Sequence, residues 1–114
     1  MDRKKQLKEL YKQMKPDMGV YIVESKLEKK CHIEATSNLK SGINSTVFKL
    51  NLGAHPNKNL QQAWSEHGED KFEVRVLDQL EYSKDESKTD YSNDLAELQA
   101  IWVKEYQKNG MEFY

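Results

Sequence analysis

The chain has 114 residues, 37% of them hydrophobic, and a formal net charge of -1 at pH 7. This supplies one modest core and therefore one domain; no apolar run is long enough to cross a bilayer or to follow Met1-Asp2-Arg3-Lys4-Lys5 as a signal peptide. Cys31 is the single cysteine, which excludes an internal disulfide and a thiolate metal cluster within one chain, so a soluble cytoplasmic protein with no membrane partner is the expectation.

Leu7, Leu10, Tyr11 and Met14 recur at helical spacing and predict an amphipathic helix over 3–15, ending before Pro16. Residues 1–17 are read as this helix packed on a single domain spanning 18–114. Met18 to Val23 is β-branched and aromatic and predicts a strand; across a charged turn, Cys31 to Ala35 predicts a second, paired antiparallel with the first. Asn38 is placed to cap a helix carrying Leu39, Ile43, Val47 and Leu50 on one stripe, with Gly53 closing it. After the loop Ala54-His55-Pro56-Asn57, Asn57 caps a further helix in which Leu60, Ala63, Trp64 and His67 share a face, ended by Gly68. Phe72, Val74 and Val76 alternate with Glu73, Arg75 and Leu77 as a strand with one face on the core. The acidic, aperiodic stretch 81–92 is expected to be a mobile loop, with Tyr82 and Tyr91 as candidate partner anchors. Asp94 and Glu97 suggest a capping box for a last helix with Leu95, Leu98, Ile101, Trp102 and Tyr106 on its apolar face. The pattern leaves the place of the third strand open.

Charge is unevenly spread. Residues 1–60 carry twelve Lys and Arg against six Asp and Glu, a net +6, whereas 61–114 carry six against thirteen, a net -7. Such asymmetry suits a basic face for nucleic acid, or attraction between the halves of two molecules.

Several short motifs follow one another in a fixed order. They are Gly19-Val20-Tyr21, His32-Ile33-Glu34, Thr36-x-Asn38-Leu39, then Leu50-x-x-Gly53-x-His55-x-Asn57-x-x-Leu60-Gln61-x-x-Trp64, Gly68-x-x-x-Phe72 and Trp102-Val103-Lys104. No single piece is specific, but the ordered set resembles GIY-YIG nuclease domains over nearly the whole chain, from Met18 to Tyr106. The resemblance implies a mixed α+β fold: a small three-stranded antiparallel sheet flanked by helices, here with an added N-terminal helix.

The resemblance also implies a site. In that family a tyrosine from each half-motif, an arginine on the first helix and a metal-binding glutamate on a later helix surround the scissile phosphate. The chemistry needs a nucleophilic water, positive charge against the developing negative charge, and a cation held by hard oxygens. Tyr21 keeps the first tyrosine position, but His32 replaces the second tyrosine and Glu34 the last glycine of the motif. Gly42 stands at the arginine position, Thr46 where many relatives carry histidine or tyrosine, and Gln99 at the metal-binding glutamate. Lys40 is no substitute for the arginine, because two residues turn a helix by about 200°. A carboxylate at Glu34 repels phosphate, and Gln99 is a poor sole anchor for magnesium. Gly42 is equally explained by close packing of its helix on the sheet.

The expected function is therefore a catalytically degenerate GIY-YIG-like domain that binds DNA or RNA by its phosphates, with no intact catalytic set and no metal site. The contacts are expected from Lys26, Lys29, Lys30, Lys40, Lys49 and Lys58, with Lys4, Lys5, Lys8 and Lys12 in support. Arg3 and Arg75 are the only arginines, so base readout is not indicated. His32, His55 and His67 lack acidic or thiol partners at ligand spacing, and Trp64 and Trp102 read as core. The alternatives are a protein-interaction or self-association module and an active endonuclease with His32 as base, for which alone Mg2+ is a cofactor.

Overall fold

The apolar residues of the hairpin alternate between two faces, and helices cover both. A computed structural model describes residues 15–114; the helix expected over 3–15, apart from its last residue, lies outside them, as do Lys4, Lys5, Lys8 and Lys12. The strands are β1 (Met18–Ser25), β2 (Lys30–Thr36), β3 (Phe72–Leu80) and β4 (Glu112–Phe113); the helices are α1 (Leu39–Leu52), α2 (Lys58–His67) and α3 (Ser92–Lys108). β1 and β2 pair antiparallel with Tyr21 opposite Glu34 and Val23 opposite His32. β3 lies antiparallel on the other side of β1, so β1 is central. The expected sheet of three strands gains a fourth, because β4 adds to β2 in parallel through Lys30 and Cys31.

Tyr21 and Val23 face α1 and α2, where they pack with Leu39, Leu50, Leu60, Ala63, Trp64 and Phe72. Val20, Ile22, Cys31 and Ile33 face the other way, against Leu98, Trp102, Val103 and Tyr106 of α3. Burying each of the larger aliphatic side chains contributes about 1.5–3 kcal/mol. Both indoles belong to this packing: Trp64 stacks on Phe72 with centroids 5.1 Å apart and donates to Asn51 at 2.9 Å, and Trp102 donates to Asp78 at 3.1 Å.

The caps form where the sequence places them. The Asn38 side chain accepts from the Ser41 amide and that of Asn57 from the Leu60 amide. Gly53 closes α1 with φ 77, in the left-handed region that glycine occupies freely. Three expectations need correction. The capping box of Asp94 and Glu97 does not form, because α3 begins at Ser92 with Tyr91 at its N-cap, three residues before the expected cap; Asp90 accepts from the Ser92 amide just ahead of the helix, and Asp94 pairs with Lys88 at 2.8 Å. Val76 is 42% exposed and Leu77 packs toward α3, because the β1–β3 register shifts between Val20 and Tyr21. Ile101 is also exposed, since α3 buries the stripe of Leu95, Leu98, Trp102 and Tyr106.

The register shift has its own glycine. A Cβ on Gly19 would lie 2.0 Å from the Asp78 carbonyl oxygen, so only glycine admits β3 this close to β1. In the acidic loop, Tyr82 and Tyr91 meet edge to face, the Tyr82 hydroxyl donates to the Pro16 carbonyl, and the Ser83 amide donates to Tyr91. Among the described residues no helix is long and apolar enough to cross a membrane.

Candidate functional site

The α1 side of the hairpin carries a cleft of about 200 Å³ whose lining includes Tyr21, Glu34, Gly42, Thr46, Lys49 and His55. Strand alternation places Tyr21, His32 and Glu34 on this face, and α1 lays Gly42 and Thr46 across it. Tyr21 is 1% exposed and donates its hydroxyl proton to Glu34. A phenol has only one proton to give, so the buried Thr46 hydroxyl must donate to Tyr21 at 2.6 Å. His32 joins from the other side, with Nε2 3.9 Å from Glu34. Its Nδ1 lies 3.4 Å from the Asn57 amide nitrogen; with that amide as donor, the ring proton sits on Nε2 and the N–H is on the side of the carboxylate.

These contacts fix the protonation states. Attraction to the His32 side chain holds the Glu34 carboxyl down to about 2, with help from the Tyr21 hydroxyl and His55, against the opposing effect of burial. Burial, and then the bond to Glu34, pushes the Tyr21 phenol far above its ordinary value of 10.0. Tyr21 is thus a hydrogen-bond donor and not a base, and Glu34 is an anion at neutral pH. Burial also lowers the His55 pKa, as does the charge of His32. His55 Nδ1 accepts from the Asn57 amide, and its ring meets His32 edge on, with centroids 5.6 Å apart.

The His55-to-Trp64 motif has a local structural account. The Gln61 side chain accepts from the His55 amide at 3.0 Å and donates to the Leu50 carbonyl at 2.9 Å, clamping the loop between α1 and α2. Asn57 both caps α2 and reaches His32 and the Tyr114 carbonyl. His55, expected as a loop residue whose polarity caps a helix, lies in the loop before α2, accepts from the Asn57 amide, and also lines the cleft beside His32. The separation of 23 positions between them hides that contact from any local pattern.

Gly42 and Gln99 each have a packing role. A Cβ on Gly42 would lie 2.9 Å from Thr36 Oγ1, and that hydroxyl is engaged with the backbone of Asn38. Gln99 belongs to α3, on the opposite face of the sheet, and its amide donates to the Ile33 carbonyl at 3.0 Å. Among the described residues no three His, Cys, Asp or Glu side chains form a group able to hold a metal ion. Glu34, the acidic side chain on the cleft, is already bonded to Tyr21 and paired with His32. The donor set does not fit a resident divalent cation.

The six candidate lysines are not gathered at one place. Lys49 lines the cleft, and Lys40 lines a shallow groove beside the start of α1. Lys58 opens α2 directly after Asn57. Lys26, Lys29 and Lys30 lie at the hairpin end, with Lys30 four residues from Glu34, about 13 Å along the strand.

No protein-family model matches the chain, and no curated protein matches it significantly. Solved structures do. A structure of the catalytic domain of the homing endonuclease I-TevI is similar at a TM-score of 0.64 and 22% identity, covering 79% of this chain and 88% of that one. A second, a point mutant of the same domain described as that of an intron endonuclease, gives 0.66 and 20%, covering 86% and 92%. The likeness shows a GIY-YIG-like domain in the fold sense, as the motif order implies.

Proposed function

We propose that this domain binds nucleic acid through its phosphates and does not hydrolyse them efficiently. One observation carries the second half of this reading: the Gln99 amide, at the position that the motif order assigns to a metal-binding glutamate, is spent on the Ile33 carbonyl. A side chain used as a donor to the backbone, with no carboxylate of its own, is a weak anchor for magnesium. Gly42 adds to this, since no cation stands there to meet developing charge on a phosphate.

The likeness to an endonuclease catalytic domain and the net +6 of residues 1–60 support nucleic acid as the ligand. Phosphate contacts by lysine draw their free energy from counterion release, so binding is modest and falls steeply with salt. The test is a titration of fluorescent duplex and single-stranded DNA at low and at physiological salt, with the protein's mass in solution recorded alongside. Salt-sensitive binding by a monomer supports the reading; no binding even at low salt, with salt-sensitive self-association, replaces it by an interaction module.

A further inference from the structure

The cleft gathers hydrogen-bond donors and positive charge around one carboxylate. Tyr21 donates to Glu34, Thr46 donates in turn to Tyr21, and His32 stands 3.9 Å from the same oxygen. Lys49 and His55 line the cleft as well. On the α1 side, Gly42 adds no cation to the lining. His32 Nε2 is buried and makes no hydrogen bond of its own, although the Glu34 carboxylate stands 3.9 Å away. Apart from Glu34 itself, the charged and titratable groups facing the cleft are basic or neutral.

We propose that Glu34 is an internal anion: its carboxylate occupies a site whose donors suit a phosphate group, and by occupying it keeps phosphate out. A carboxylate and a phosphate are recognised by the same chemistry, hydroxyl and imidazole N–H donors backed by a lysine. Two anions held against one tyrosine hydroxyl repel each other strongly, because the low-dielectric wall screens them poorly. The low pKa of Glu34 agrees with this, since the surroundings favour negative charge at that point. Nucleic acid bound by this protein therefore meets the lysines that lie outside the cleft, while its phosphates stay out of the cleft. This deepens the binding reading but is tested apart from it, because it is read with inorganic phosphate alone.

The experiment titrates inorganic phosphate into the full chain near neutral pH and follows the resonances of Tyr21, Thr46 and His55. In the wild type these resonances are expected to stay fixed. In Glu34→Ala they shift on phosphate addition, with affinity raised by about tenfold or more, and adding Lys49→Gln to that variant removes most of the gain. Glu34→Gln keeps an acceptor for Tyr21 and loses only the charge, so it folds where Glu34→Ala fails, and a smaller gain of about threefold is expected. Wild-type resonances that respond to phosphate as readily as those of the variants would overturn the proposal. So would folded variants, Glu34→Gln included, that gain nothing.

Discussion

The Gln99 amide donates a 3.0 Å hydrogen bond to the carbonyl of Ile33, joining α3 to the strand that carries His32 and Glu34. That carbonyl belongs to the peptide unit immediately before Glu34. A residue at the position of a metal ligand has become a tie between a helix and the sheet, and its substitution should be felt first in stability.

Gln99→Glu replaces the donor by an acceptor that faces a carbonyl oxygen. The lost hydrogen bond and the new repulsion together cost about 1–3 kcal/mol. The ionised carboxylate is the disfavoured form, so the deficit is larger at neutral pH than at about pH 4. Urea denaturation at the two pH values checks this; equal stability of variant and wild type would show that the tie is dispensable.

Gly19 and Gly42 respond differently to alanine. Alanine in an exposed helix interior normally gains about 1 kcal/mol over glycine. At Gly42 the new methyl meets the engaged Thr36 hydroxyl at 2.9 Å, so the gain is cancelled and a net loss of about 1 kcal/mol is expected. At Gly19 the obstacle is backbone at 2.0 Å, and Gly19→Ala costs about 3 kcal/mol or more by breaking the β1–β3 register. Thermal melts of the two variants read both, and a stabilised Gly42→Ala would contradict the close-packing account.

Those glycines also show what is legible in a sequence. Asn38, Asn57, Gly53 and Gly68 act within a few residues of themselves, and their helix boundaries follow from local chemistry. β4 has two residues and exists only because β2 offers an edge for it, so no periodicity announces it. The cleft divides in the same way. Strand alternation puts Tyr21, His32 and Glu34 on one face, but the approach of His55 and the reach of Gln99 to Ile33 depend on tertiary packing.

The ionisation of Glu34 sets an acid limit. Its folded-state pKa of about 2 lies below the ordinary 4.5, so its contribution to stability is complete above 4.5 and is lost as pH falls toward 2. His55, also depressed, adds a loss that begins as pH falls below 6.5. Urea midpoints taken between about pH 5 and about pH 2.5 should fall more steeply for the wild type than for Glu34→Gln. Parallel curves would mean that Glu34 is no more stabilised as an anion when folded than when unfolded.

If the hairpin lysines contact phosphates, their loss reduces the salt dependence of binding. Replacing Lys26, Lys29 and Lys30 together by Gln should lower the slope of log affinity against log salt by about 2 to 3, with no change in sequence preference. An unchanged slope would remove the hairpin end from the interface and leave Lys40, Lys49 and Lys58 to carry it.

The central claim is binding without efficient hydrolysis, and single-turnover incubation of labelled duplex DNA with excess protein and magnesium or manganese tests it most directly. Run at low salt, with a gel shift from the same tubes, the account predicts duplex that is bound and remains intact. Metal-dependent cleavage that disappears in His32→Ala would contradict it and make this cleft a working active site.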